Sequence, residues 1–84
     1  MFDAAEGDLR RRVLIVDDAI GALVTVVQML PGESAFADWR GPARAALHFV
    51  VERERQLLRR EIQRLEGVRL DLLRWVALIN IPSP

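Results

Sequence analysis

Apolar residues recur at Leu9, Val13, Val16, Ile20, Leu23, Val27 and Leu30 in alternating steps of four and three, without a break. That spacing tracks one stripe of an α-helix and is incompatible with the two-residue alternation of a half-buried strand. Written as heptads, Val13, Ile20 and Val27 fall at a and Leu9, Val16, Leu23 and Leu30 at d, the positions whose side chains fill holes on a facing helix. The β-branched residues among them lower intrinsic helix propensity, so packing against a neighbour must hold this helix. Leu14, Ile15, Ala19, Ala22, Val24 and Val26 widen the stripe beyond one seam. A helix apolar on two faces is expected to touch two neighbours.

The first helix is expected over about 4–30, because Pro31 disfavours helical geometry at Leu30 and Gly32 permits a turn. A second helix is expected over about 42–79, opened by Pro42, whose missing N–H costs nothing at the first helical position, and closed by Asn80 and Pro82. Residues 31–41 form the turn between them. One face of the second helix carries Leu47, Val50, Val51, Leu57, Leu58, Ile62, Leu65, Val68, Leu72, Trp75, Val76 and Ile79. The other carries acids three residues before an arginine, Glu52/Arg55, Glu61/Arg64, Glu66/Arg69 and Asp71/Arg74, each pair worth about 0.2–0.5 kcal/mol on a helix surface. The helices would span roughly 40 Å and roughly 57 Å. In an antiparallel hairpin the last turns of the second are therefore expected to outrun the first, and those turns, Leu70 to Ile79, are apolar.

Eighty-four residues make one domain, 1–84, and leave little core to spare. Without cysteine and with His48 alone, neither disulfides nor a metal can supplement that core, which leaves oligomerisation. All twelve basic residues are arginine, and twelve acids balance them to a net charge of zero. That balance argues against nucleic acid and against an anionic membrane as partners. No apolar run reaches the ~20 residues that a membrane span needs. The opening Met-Phe-Asp-Ala-Ala-Glu is acidic where a secretory signal starts basic, so the chain is expected in the cytoplasm when made. Any export would proceed without a cleaved signal.

Phe36-Ala37-Asp38-Trp39-Arg40-Gly41-Pro42-Ala43-Arg44-Ala45-Ala46, set between two helical segments, resembles the turn of the WXG superfamily, the helix-turn-helix proteins exported by or assisting bacterial type VII secretion. The resemblance implies an all-α antiparallel two-helix hairpin with a WXG-type turn that pairs into a four-helix bundle. Trp39 and Gly41 would be the secretion and turn motif. Many exported members carry a tyrosine with an acid four residues later beyond the second helix, and this chain has no tyrosine. The resemblance therefore implies a partner, targeting factor or chaperone that binds a type VII substrate rather than a self-sufficient substrate. The partner would be another helical hairpin, a second copy or a different chain such as the N-terminal helical domain of a larger secreted effector. Its interface is expected to draw on Leu9, Val13, Val16, Ile20, Leu23, Val27, Leu65, Leu72, Trp75, Val76 and Ile79.

Other chemistry finds no support in the residues. Val13-Leu14-Ile15-Val16-Asp17-Asp18 resembles the first strand and acidic pair of a response-regulator receiver domain, but a phosphorylatable Asp is missing from Val24-Thr25-Val26-Val27 and the chain has no lysine. Asp17 and Asp18 are expected as solvated residues beside a helical seam. The hydroxyls are Thr25, Ser34 and Ser83, from which no nucleophile and base can be assembled. No cofactor, metal site or enzymatic activity is expected. The competing reading is a small dimeric DNA-binding or antitoxin-like regulator using Arg10-Arg11-Arg12, which Asp8, Asp17 and Asp18 stand close enough to neutralise.

Overall fold

The structure is a computed structural model that describes residues 2–32, 35 and 40–80, with the side chains of Phe2 and Asp3 left aside. Two helices pack as a hairpin, α1 over Phe2–Met29 and α2 over Pro42–Ile79, and the described residues contain no strand. The protein is thus an all-α helical hairpin, 68 Å long and 15 by 13 Å across. α1 closes where Pro31 ends the regular hydrogen bonding: the Leu30 amide is shared between the carbonyls of Val26 and Val27 at 3.1 and 3.2 Å. α2 closes at Asn80, whose amide donates back to the Val76 carbonyl.

Half-buried and buried positions follow the seam on α1, at Leu9, Val13, Val16, Ile20, Leu23, Val27 and Leu30. On α2 they run Val51, Arg55, Leu58, Ile62, Leu65, Arg69, Leu72, Val76 and Ile79, the same alternation of four and three. Two matching stripes of this kind are what antiparallel helices present to each other. Arg55 and Arg69 occupy two of the seam positions, and their guanidinium groups reach across to the Pro31 carbonyl and to Asp17.

Three long-range hydrogen bonds set the register. Arg55 Nη2 donates to the Pro31 carbonyl at 3.2 Å, Arg69 Nε to Asp17 Oδ1 at 2.5 Å, and Asn80 Nδ2 to Glu6 Oε1 at 3.1 Å. Equal steps back along α1 are matched by equal steps forward along α2, so one antiparallel register satisfies all three. It overturns the expectation that the C-terminal turns of α2 outrun α1. Asn80 lies beside the first turns of α1, and the excess length of α2 sits at its other end, where Pro42 to about Glu54 extend past Met29. The physical reason is the long connection between Leu30 and Pro42, which does not force the two helix ends at the turn to coincide.

Candidate functional site

The hairpin has two unlike faces. All three register contacts lie on one of them, where Glu6 and Asp17 project from α1 and Arg55, Arg69 and Asn80 from α2. Two open grooves run along the same face. One of about 440 Å³ is lined by Asp17, Ile20, Glu66, Arg69 and Leu70, and one of about 280 Å³ by Arg10, Val13, Leu14 and Leu73. Neither gathers a nucleophile and a base, and Thr25, the hydroxyl among the described residues, donates to the Gly21 carbonyl of its own helix at 3.0 Å. Among the described residues no group of His, Cys, Asp and Glu is placed to hold a metal. Among the described residues no helix is long and apolar enough to cross a membrane.

Glu6 is the most elaborated carboxylate of the bridged face. Hydrogen bonds from Arg10 first and from Asn80 second hold its carboxyl below the ordinary glutamate value, and burial opposes them weakly. A lowered value in the folded state means that the ionised form favours the hairpin. Its contribution is present above the unfolded glutamate pKa and disappears as pH falls through the lowered folded one. A carbon-13 NMR titration of Glu6 is expected to give a midpoint below that of a free glutamate. Asn80→Ala should raise the midpoint only part of the way, because Arg10 remains. An identical midpoint in the intact and Asn80→Ala chains would mean that the tie between the helix ends does not form in solution.

The opposite face carries no inter-helix polar contact among the described residues. Ile15, Ala19, Ala22, Val26 and Met29 form a second stripe along α1, again at steps of four and three, with Ile15 60%, Val26 44% and Met29 77% exposed. On α2 the flank on that side presents Leu57, Val68, Trp75 and Leu78, with Trp75 59% exposed. Val50 continues it toward the start of α2. The wheel positions that send Asp17 and Arg69 to the bridged face send these residues to the other.

The residues marked in the sequence for a partner divide accordingly. Leu9, Val13, Val16, Ile20, Leu23 and Val27 of α1 and Leu65, Leu72, Val76 and Ile79 of α2 are buried or half-buried, on the stripes the two helices turn toward each other. The hairpin itself covers most of their surface. Trp75 alone of that set is exposed, whereas Ile15, Ala22, Val26 and Met29, which lie outside the set, are exposed on the second stripe. Its signal was present in the sequence as the second apolar flank of the first helix.

Gly41 sits at the N-cap of α2 with φ 69° and ψ −146°, the single positive φ among the described residues. Its carbonyl accepts the first bond of the helix from the Ala45 amide at 3.3 Å, and no side chain caps the helix start. Trp39 lies outside the described residues.

Seven of the twelve arginines are paired with a carboxylate among the described residues. Arg10 pairs with Glu6, Arg11 and Arg12 with Asp8, Arg55 with Glu52, Arg64 with Glu61 and Arg74 with Asp71. Arg69 pairs with Asp17 across the helices rather than with Glu66 one turn away, so Asp17 is an inter-helix partner and not a free surface acid. Comparisons with protein-family models, with curated proteins and with solved structures returned no match to this chain.

Proposed function

We propose that the protein is a binding module that completes a helical bundle with another helical hairpin. One observation carries this reading. Among the described residues only Val13, Val51 and Val76 are buried and no side chain is fully buried, while twelve large apolar side chains are exposed. Burying a large apolar side chain contributes about 1.5–3 kcal/mol, so a hairpin this thin gains further stability from a partner. Pairing with a second hairpin gives the four-helix bundle.

The resemblance of Trp39-Arg40-Gly41 supports a finer proposal, that the bundle serves type VII secretion as the partner, targeting factor or chaperone of a substrate that leaves without a cleaved signal. The positive φ of Gly41 is consistent with a glycine needed at that turn. The pairing of Arg10 with Glu6 and of Arg11 and Arg12 with Asp8 weighs against a DNA-binding regulator that uses these arginines, since guanidinium groups already paired with carboxylates gain less from phosphate.

The test separates recognition from folding. In a host with a type VII system, Trp39→Ala is expected to reduce export of the cognate substrate while leaving its binding within about 1.4 kcal/mol, tenfold in affinity. Unchanged export by a stable Trp39→Ala complex would remove the WXG motif as support for a secretion role and leave a generic helical interaction module. A salt-sensitive shift of duplex DNA by the purified chain would favour the regulator instead.

A further inference from the structure

The open face described above is patterned about its own centre. Between Ile15 and Val26 the stripe on α1 reads large, small, small, large, through Ala19 and Ala22, and this stretch is unchanged when read backwards, while Met29 lies beyond it at the level that Arg12 mirrors. On α2, Leu57 and Trp75 stand at equal distances from the level of Glu66. The register fixed by Asp17 with Arg69 sets that level beside the midpoint between Ala19 and Ala22. The Ile15–Val26 stretch and the Leu57/Trp75 pair therefore share one centre, to within a fraction of a helical rise, whereas Val68 and Leu78 mirror onto Arg64 and Glu54.

A two-fold interface requires this of a surface: residue i must meet residue j of the other copy while j meets i. We propose that the open face closes on a second copy of this chain, antiparallel, about a two-fold axis passing between Ala19 and Ala22. Ile15 then meets Val26 of the second copy, Ala19 meets Ala22, and Leu57 meets Trp75. The alanines at the centre let the two α1 helices approach closely, and the larger residues at either side fill the space as the helices diverge. Arg64 stands opposite Val68 of the second copy and one turn from its Asp71. A chain of zero net charge meets its copy without net repulsion.

The available area is sufficient. The hairpin exposes 6702 Å². A compact monomer of 9.5 kDa would expose roughly 5,000 Å². Half of the excess would supply the roughly 800 Å² per partner that a stable dimer buries. The bridged face is a poorer candidate, because Asp17, Arg69, Glu6, Asn80 and Arg55 already occupy it.

This inference rests on the binding-module reading and names its occupant. The chain has no native cysteine, so single cysteines report the pairing directly. Ile15→Cys and Val26→Cys chains refolded together are expected to crosslink through a short bismaleimide, and neither is expected to crosslink alone. Like residues would stand about 16 Å apart along the axis in the antiparallel dimer. Efficient crosslinking of Ile15→Cys to itself would overturn the arrangement. In sedimentation velocity, Ala22→Glu should weaken the dimer at least tenfold with helix content retained, whereas Leu14→Glu on the bridged face should leave it unmoved. The reverse pattern, or a monomer at every concentration, would also overturn it. A monomer that nevertheless forms a complex with a different hairpin would sink the second copy alone and leave the proposed function standing. A homodimer with no part in export would keep both the second copy and the binding module and sink the secretion role alone.

Discussion

Val76→Asp is expected to unfold the hairpin. Val76 is 6% exposed, the most enclosed of the buried residues, and lies on the inner stripe of α2 near the end tied by Glu6 and Asn80. Replacing it removes an apolar contact of about 1.5–3 kcal/mol. It also places a carboxylate without a partner in the seam, which costs about 3–5 kcal/mol when nothing compensates. A chain of this length has about 4–13 kcal/mol of stability in total. Circular dichroism with urea should show the cooperative transition lost or shifted close to zero denaturant. Trp75→Asp, one residue away but 59% exposed, should keep its helix content. A Val76→Asp protein with an unchanged midpoint would mean that the two helices do not meet along this stripe.

Gly41→Val should destabilise the fold by about 1–3 kcal/mol through the backbone alone. A Cβ added at Gly41 would meet no atom within 4 Å, so no steric clash enters. The penalty comes from φ 69°, a conformation that a β-branched residue resists. Gly32 is the control. It too has open space for a Cβ and its φ is not positive, so Gly32→Ala should move the urea midpoint little. Equal effects at the two glycines would mean that Gly41 does not hold its positive φ in solution.

The two helices were legible because their determinants are local. Steps of four and three from Leu9 to Leu30 specify a helical stripe, Pro31 stops it, and Pro42 starts the next. α1 begins at Phe2 and ends at Met29, against an expected 4–30, and α2 spans Pro42–Ile79. The register was not legible, for a physical reason. A heptad stripe slid by one or two turns along another still buries apolar residues, so periodicity alone leaves several alignments nearly equivalent. Asp17 with Arg69 and Glu6 with Asn80 break that degeneracy, and both pairs join residues far apart in sequence. Sequence spacing offered Arg69 a nearer acid in Glu66. It therefore hid the contact that aligns the helices, and placed the overhang at the wrong end of α2.

The same ambiguity explains how the candidate surface was divided. Leu9, Val16 and Ile15 are equally apolar, and nothing in the stripe says which of two adjacent seams meets the other helix of the chain. The long-range pairs decide it, because Asp17 and Glu6 must turn toward α2 and thereby send Ile15 and Val26 to the far side. Trp75 was legible as a large apolar residue of the second helix, but not as an exposed one. Its exposure depended on the register.

The tie between Glu6 and Asn80 also determines how the molecule answers force. Both ends of the described chain emerge at one pole of a 68 Å rod, with the connection at the other. Tension applied at the two ends loads Glu6 and Asn80 first, then the turn at Leu9, then Val13, each layer giving way before the next is strained. Such a hairpin unzips rather than shears, so the peak force is that of one helical layer and not of the whole seam. A motor drawing the chain by either end would meet a succession of small barriers. The same seam would resist far more strongly if α1 and α2 were pulled past each other along their length.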